Sequence, residues 1–162
     1  MENPVVRLLR ASLPELDFAV MQHGFAPHGR DYVFIIQDFW GTHELTFSHV
    51  VDLKYGTRVR DEVWLESWSN EFVDYGAWLA AGEPNGYVWG SNWSLAYPGI
   101  SLPSATPEAE DWSRRLRRPM HLVVIETDRF SIALIFSDAR LRKLSDDASI
   151  VRKVIIPLAK PA

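Results

Sequence analysis

From Thr42 to Tyr55 apolar and polar side chains alternate almost without interruption. His43, Leu45, Phe47, His49, Val51, Leu53 and Tyr55 share one parity, while Glu44, Thr46, Ser48, Asp52 and Lys54 share the other. Only Val50 breaks the rule. A period of two buries one face of a sheet and wets the other, so the pattern predicts one long half-buried strand. Leu45, Phe47, Val51 and Leu53 should point inward and Glu44 and Thr46 outward. The preceding run, DYVFIIQDF, is apolar on both parities, as a central strand would be. MHLVVIET and FSIALIFS predict a second hairpin turning through Thr127, Asp128 and Arg129. Residues 32–48 lie over residues 121–137 without a gap at an offset of 89. Ile36/Ile125, Leu45/Leu134, Phe47/Phe136 and Ser48/Ser137 are identical, four matches in 17, which two apolar hairpins can reach by coincidence. If the repeat is real, the sheet is made from two related hairpins with a Trp-rich segment between them.

Helical spacing appears in three places. Ser12-Leu13-Pro14-Glu15 reads as a capping box, with Leu13, Leu16, Val20 and Met21 following and Gly24 as the stop. That predicts a helix from about Leu13 to Gln22, then a loop over HGFAPHGR. Between Asp61 and Gly82, Trp64, Trp68, Phe72, Tyr75 and Leu79 fall at steps of 4, 4, 3 and 4, and Asp74 and Gly76 divide the run into two short helices. Thr106, Pro107, Glu108, Glu110 and Asp111 open a fourth helix that ends in Arg114–Arg118 and Pro119. GYVWGSNWSL reads as a strand and Tyr97-Pro98-Gly99 as a type II turn. Residues 145–149 are a polar linker before a last apolar strand or tail. The sum is one α+β domain over residues 1–162, with its core at about 13–144. It should hold an antiparallel sheet of about 5–6 strands built from two hairpins, with helices packed on one face.

Composition narrows the function more than the fold. The chain has 162 residues, 47% apolar and 23% charged, which are ordinary values for one globular domain. It has no cysteine, which excludes disulfides, a thiolate nucleophile and Cys-ligated metals, and fits a reducing compartment. No apolar run approaches the ~18 residues of a spanning helix. Arg7, Arg10, Pro14, Glu15 and Asp17 interrupt the N-terminus against a signal peptide. The expectation is a cytoplasmic protein with no membrane partner. Residues 1–81 carry 6 basic and 12 acidic side chains, net −6, and residues 82–162 carry 11 and 9, net +2, which together give −4. A nucleic-acid binder has a domain pI above ~9. Here the pI is about 5.7, so Arg114–Arg118 and Arg140–Lys143 read as solvated faces and no nucleic-acid partner is expected.

Candidate chemistry is sparse. His43 and His49 share a face but lie ~20 Å apart along a strand, and His49, among Phe47, Val51 and Leu53, reads as a core histidine with one partner. His23 and His28 flank a tight loop beside Arg30 and Asp31. Such a group suits a metal, an anion or acid–base work. The bland alternative is a structural loop, with His23 near a helix C-terminus and Arg30 paired to a carboxylate. H-x4-H in a Pro/Gly loop is no recognised ligand spacing, so no metal and no cofactor are expected. Glu62 and Glu66 at i,i+4 read as a solvated face. Phosphate loops, nucleophile elbows, dinucleotide fingerprints and H-E-x-x-H are all missing from the sequence. Aromatics reach 12%, and five of the seven Trp fall between Trp64 and Trp93. Tyr87, Trp89 and Trp93 share parity with Leu95, and Tyr97 follows. Exposed, they would stack sugars, bases or a peptide; buried, they are core.

HGF (His23–Phe25), RDY (Arg30–Tyr32), LTFS (Leu45–Ser48), DEVWLESW (Asp61–Trp68) and DYGAW (Asp74–Trp78) together carry a resemblance. So do the segment from GYVWG through YPG, and HLVVIET followed by IFSDARLRKL. Across most of residues 23–144 the chain resembles small bacterial proteins of the YxiG-like group. The group carries no established catalytic residues to transfer. Genomic neighbourhoods of some members imply immunity proteins against polymorphic toxins, hence a protein partner, and an acidic first half suits a basic toxin. Three functional classes follow. The first is a non-enzymatic, immunity-like interaction protein; the second is a carbohydrate-, peptide- or small-ligand-binding module using the Trp-rich segment; the third is an enzyme on the His23/His28/Asp31 loop.

The core reading of the Trp-rich segment is testable directly. Trp64→Ala should cost ~3–5 kcal/mol in a thermal melt, through lost transfer energy and the cavity left behind. Trp93, beside Gly90 and Asn92, sits where a bulge can turn it outward, so Trp93→Ala should cost less. A Trp64→Ala protein that melts like its parent would overturn the core reading.

Overall fold

The computed structural model describes residues 2–12, 18–27, 29–38, 41–58, 94–104 and 106–144, together with Ala80 and Gly82. In chain order these form α1 (Pro4–Ser12), β1 (Ala19–Phe25), β2 (Tyr32–Asp38), β3 (Gly41–Ser48) and β4 (Asp52–Thr57). β5 (Ser94–Ser101), α2 (Pro107–Leu116), β6 (His121–Thr127), β7 (Phe130–Phe136) and β8 (Asp138–Lys143) follow. Among the described residues all strand pairs are antiparallel.

The two apolar hairpins share one register. Tyr32↔Phe47, Phe34↔Leu45 and Ile36↔His43 in β2–β3 correspond to His121↔Phe136, Val123↔Leu134 and Ile125↔Ile132 in β6–β7, every member displaced by 89. Each hairpin then passes its next strand to the other. β4 pairs with β7 and β8 pairs with β3. At the crossing the Ser137 N–H donates to the Ser48 carbonyl at 3.0 Å, and the Phe47 and Phe136 rings meet edge-on at 4.8 Å. Both are pairs of equivalent positions, so the hairpins are related by an approximate two-fold passing between them.

β1 joins β2 to β5, and β5 joins β6. The hydrogen-bonded circuit therefore closes, because β4 and β8, the terminal strands of the order β4-β7-β6-β5-β1-β2-β3-β8, are continuations of β3 and β7. Eight strands take part among the described residues, more than the 5–6 expected, and the domain is α+β but mainly β. Among the described residues, α1 and α2 are set on different surfaces rather than on one face. Val5 of α1 is fully buried in the cluster that holds Phe34, Phe47, Leu134 and Phe136 inside the closed sheet. Ala109 and Trp112 of α2 pack outside it, against Met120, Leu122 and Ile135. Neither helix is long and apolar enough to cross a membrane.

The long alternating strand is divided at the residue that broke the alternation. His49 adopts a left-handed conformation (φ 53°), Val50 turns inside, and Val51 packs outward beside α2. Leu53 then resumes the original parity. His49 is consequently exposed, not a core residue. Leu45 and Phe47 are fully buried as expected, but Thr46 is also buried. It lies in register between Val33 and Arg140, so strands on both sides shelter a small side chain on the outer face.

Three further expectations are corrected. The helix placed at about Leu13 to Gln22 does not form at its C-terminal end, where residues 19–22 belong to β1. Pairing with β2 overrides the local helical spacing, and Gly24 is an ordinary strand residue opposite Val33. The helix lies earlier, where the Asn3 side chain accepts from the Val5 N–H at 3.1 Å and Pro4 follows. Tyr97-Pro98-Gly99 is not a free turn: the β5–β6 register slips between Ala96 and Gly99, and Gly99 (φ 93°) makes a bulge inside β5. By contrast α2 keeps its predicted bounds, with Thr106 accepting from the Ala109 N–H at 3.4 Å and Arg117 (φ 53°) ending it. The helices expected over Asp61–Gly82, apart from helical Ala80, and the tail at 145–162 lie outside the described residues.

If the closed interior carries the stability, Phe136→Ala should cost ~3–5 kcal/mol. Loss of one helix cap in Thr106→Ala should cost only ~1 kcal/mol. Urea denaturation of the two variants checks the ranking.

Candidate functional site

Where the β1–β2 hairpin approaches β4 and the start of β7, the interior does not end in aliphatic side chains. It continues outward as a group of rings. The His23 imidazole lies 4.7 Å from Phe130, 5.7 Å from Phe34, 6.0 Å from Tyr32 and 6.2 Å from Tyr55, centroid to centroid. Tyr55 stacks on Phe130 at 5.8 Å, and Phe25 meets Tyr32 edge-on at 4.9 Å. The register explains the convergence, since His23 is opposite Phe34 on β2 while Thr57 is opposite Phe130 on β7. Phe34 and Phe130 are buried, whereas Phe25 is 39% and Tyr55 59% exposed. The group therefore grades from core to solvent through a mouth in the closed sheet.

Its polar centre is a neutral pair. The Tyr32 hydroxyl and His23 Nδ1 share a hydrogen bond at 2.7 Å, and Tyr32 is the one hydrogen-bond partner of the imidazole among the described residues. Burial raises the Tyr32 phenol to about 12, with Tyr55 adding to the effect. Burial among the rings lowers the His23 imidazole below its ordinary value, although solvent reaches part of the ring. Near neutral pH the mouth thus offers π-faces, a phenol and an uncharged imidazole. Such a surface stacks and hydrogen-bonds.

The other residues of the expected polar loop point elsewhere. Asp31 accepts from the His49 N–H at 3.4 Å and lies 3.7 Å from the Arg140 guanidinium. The Arg30 carbonyl accepts from the Val50 N–H at 2.8 Å, and its side chain makes no ion pair among the described residues, contrary to the structural-loop reading. This loop fastens the β1–β2 hairpin to the kink at His49, and its described residues Arg30 and Asp31 do not join His23 in an acid–base group. Nor does His23 stand at a helix end. His28 lies outside the described residues, as do Tyr87, Trp89 and Trp93. Tyr97 is in the bulged β5. His49 Nδ1 lies 2.9 Å from the Ser137 hydroxyl, while His43 is buried 3.4 Å from the Asp38 carboxylate. Among the described residues no three His, Asp or Glu side chains come together in a metal-holding group.

Sequence reasoning missed Phe25, Tyr55 and Phe130 as partners of His23. The available signal was Tyr55, an aromatic on the apolar parity at the end of the alternating run. The family model described as YxiG-like protein matches residues 5–154. No curated protein and no solved structure matches the chain.

The neutral state of His23 has a consequence for stability. Its folded pKa is below the ordinary 6.5, so the unfolded chain takes the proton first as pH falls. The stability this contributes is present above ~6.5 and is lost as pH drops through the lowered folded value. His121, also lowered by burial, adds a share of the same sign. Melting temperature should therefore fall between about pH 7.5 and about pH 5, and fall less in His23→Phe. Equal falls in both proteins would show that the imidazole is not desolvated.

Proposed function

The chain belongs to the YxiG-like protein family, and we propose that it is a non-enzymatic binding protein whose aromatic mouth takes an apolar segment of a protein partner. The observation that carries this reading is the exposure of Tyr55, 59%, stacked on buried Phe130, and of Phe25, 39%, set edge-on against buried Tyr32. Exposed aromatic rings supported by a fixed layer beneath lose little conformational freedom on binding, and tyrosine is enriched among the anchors of protein interfaces. Small-ligand sites bury most of the ligand within a concavity. Here Tyr55 stands more than half in solvent, which favours a partner surface over an enclosed ligand.

Chemistry within the site supports the same class. The imidazole is bonded to a phenol, and Asp31 is turned toward Arg140 and His49. General-base catalysis needs a base oriented by a third group and facing a nucleophile. The net charge of −4 would steer a basic partner toward the chain, in keeping with an immunity-type role.

The test is co-purification with the product of the neighbouring gene. Wild type and a Lys143→Ser surface control should retain the partner, and Tyr55→Ser should weaken retention at least ~tenfold, the scale of one interface anchor. Equal retention by Tyr55→Ser would sink the mouth as the binding surface. Saturable capture by a saccharide array, lost in Tyr55→Ser, would favour the ligand-binding class instead.

A further inference from the structure

A cleft of about 780 Å³ opens where the first turn of α1, the β5–α2 connection, α2 and the start of β6 meet, and none of the aromatic-mouth residues lines it. That volume is within the usual ~300–1,000 Å³ of small-molecule sites. Val6, Leu102, Ala109, Met120 and Leu122 give it apolar walls. Several polar groups of these walls are already engaged in holding the walls together. The Ser113 hydroxyl donates to the Ala109 carbonyl at 2.7 Å and accepts from the Met120 N–H at 2.8 Å. Asn3 caps α1 and donates to the Leu122 carbonyl at 3.0 Å, joining α1 to β6. The cleft is thus a formed feature of the fold.

What remains unused is charge. The basic run Arg114–Arg118 divides in two. Arg114 and Arg115 lie 3.3 and 3.0 Å from Asp111, and Arg115 also covers the Trp112 ring. Arg117 and Arg118 line the cleft, and neither has an acidic partner among the described residues. Arg117 ends α2 in the left-handed conformation, which takes it and Arg118 off the helical face that carries the Asp111 pairs. Glu110 also lines the cleft, leaving two guanidinium groups to one carboxylate.

We propose that this cleft binds a small amphipathic organic anion. Its carboxylate or comparable head pairs with Arg117 and Arg118, and its apolar body lies along Val6, Leu102 and Met120. A guanidinium is suited to a planar carboxylate because it offers paired donors in a rigid fork. The apolar body contributes through burial of its surface. The site and the aromatic mouth are independent, so either can fail alone.

Octanoate titrated calorimetrically into the full chain is the test. Wild type should bind it saturably at one site. The double variant Arg117→Asn/Arg118→Gln should bind at least ~tenfold more weakly, the loss expected for charge-assisted hydrogen bonds. Asparagine is chosen at 117 because it tolerates the left-handed conformation there. Arg114→Gln/Arg115→Gln should bind like wild type, since those arginines are already paired, and so should Tyr55→Ser. Octanol should bind more weakly than octanoate to wild type. Any of three results overturns the proposal: no saturable octanoate binding, an equal loss in the Arg114/Arg115 variant, or displacement of octanoate by equimolar inorganic phosphate.

Discussion

The reciprocal exchange of strands between the two hairpins is the constraint on which the rest of this structure depends. A hairpin alone cannot bury its apolar face and leaves unpaired backbone groups at its edges. Here β3 gains β8 from the second hairpin, and β7 gains β4 from the first. The exchange is geometrically possible because both strands bend at one place, at His49–Val51 in one and at Ser137 in the other. The Ser137-to-Ser48 hydrogen bond and the Phe47–Phe136 contact hold these bends together. Without the kinks each hairpin would continue as a flat ribbon, and the sheet would not close over one interior.

The mouth follows from that closure. His23 and Tyr32 come from the N-terminal hairpin, Tyr55 from β4 and Phe130 from β7, nearly a hundred residues away. They meet because β4 has been passed to the second hairpin and brings Tyr55 over the rings of the first. The interior also sets the protonation of the pair. Four rings around one partly exposed imidazole lower its pKa without supplying a carboxylate, which favours the neutral form. A histidine with a carboxylate behind it would be shifted the other way and suited to proton transfer. The same residue type therefore serves recognition here because of what the fold places next to it.

Much of this was legible in the chain, and the losses have physical causes. Both hairpins, the β6–β7 turn at Asp128–Arg129 and α2 with its Thr106 cap depend on neighbours close in sequence, and periodicity reports such neighbours faithfully. The offset of 89 was real as geometry although only four residues of 17 repeat, because register is set by apolar alternation and not by identity. Residues 19–22 have helical spacing and still form a strand, since their partner, β2, decides. Val50 looked like noise in the alternation and was the kink itself. The loop expected over residues 23–30 starts later, because His23, Gly24 and Phe25 pair with β2, and pairing between strands is not visible in local composition. His23 lies within β1 and its side chain joins the rings, whereas Asp31 precedes β2 and turns to Arg140.

The two proposed sites divide the chemistry of the surface in a way the composition alone obscures. A net charge of −4 describes the whole chain, but recognition is decided by charges left without local partners. Glu44 is held by Arg142 across β3–β8, Asp31, just before β2, by Arg140 of β8, and Asp111 holds two arginines on α2. Pairs of this kind, half or more in solvent on the arginine side, contribute little to stability. Their effect is to remove those groups from competition for a ligand. Arg117 and Arg118 escape because a left-handed cap redirects the chain at the end of α2. A backbone dihedral at one residue thus determines which half of a basic run is neutralised and which half faces the cleft.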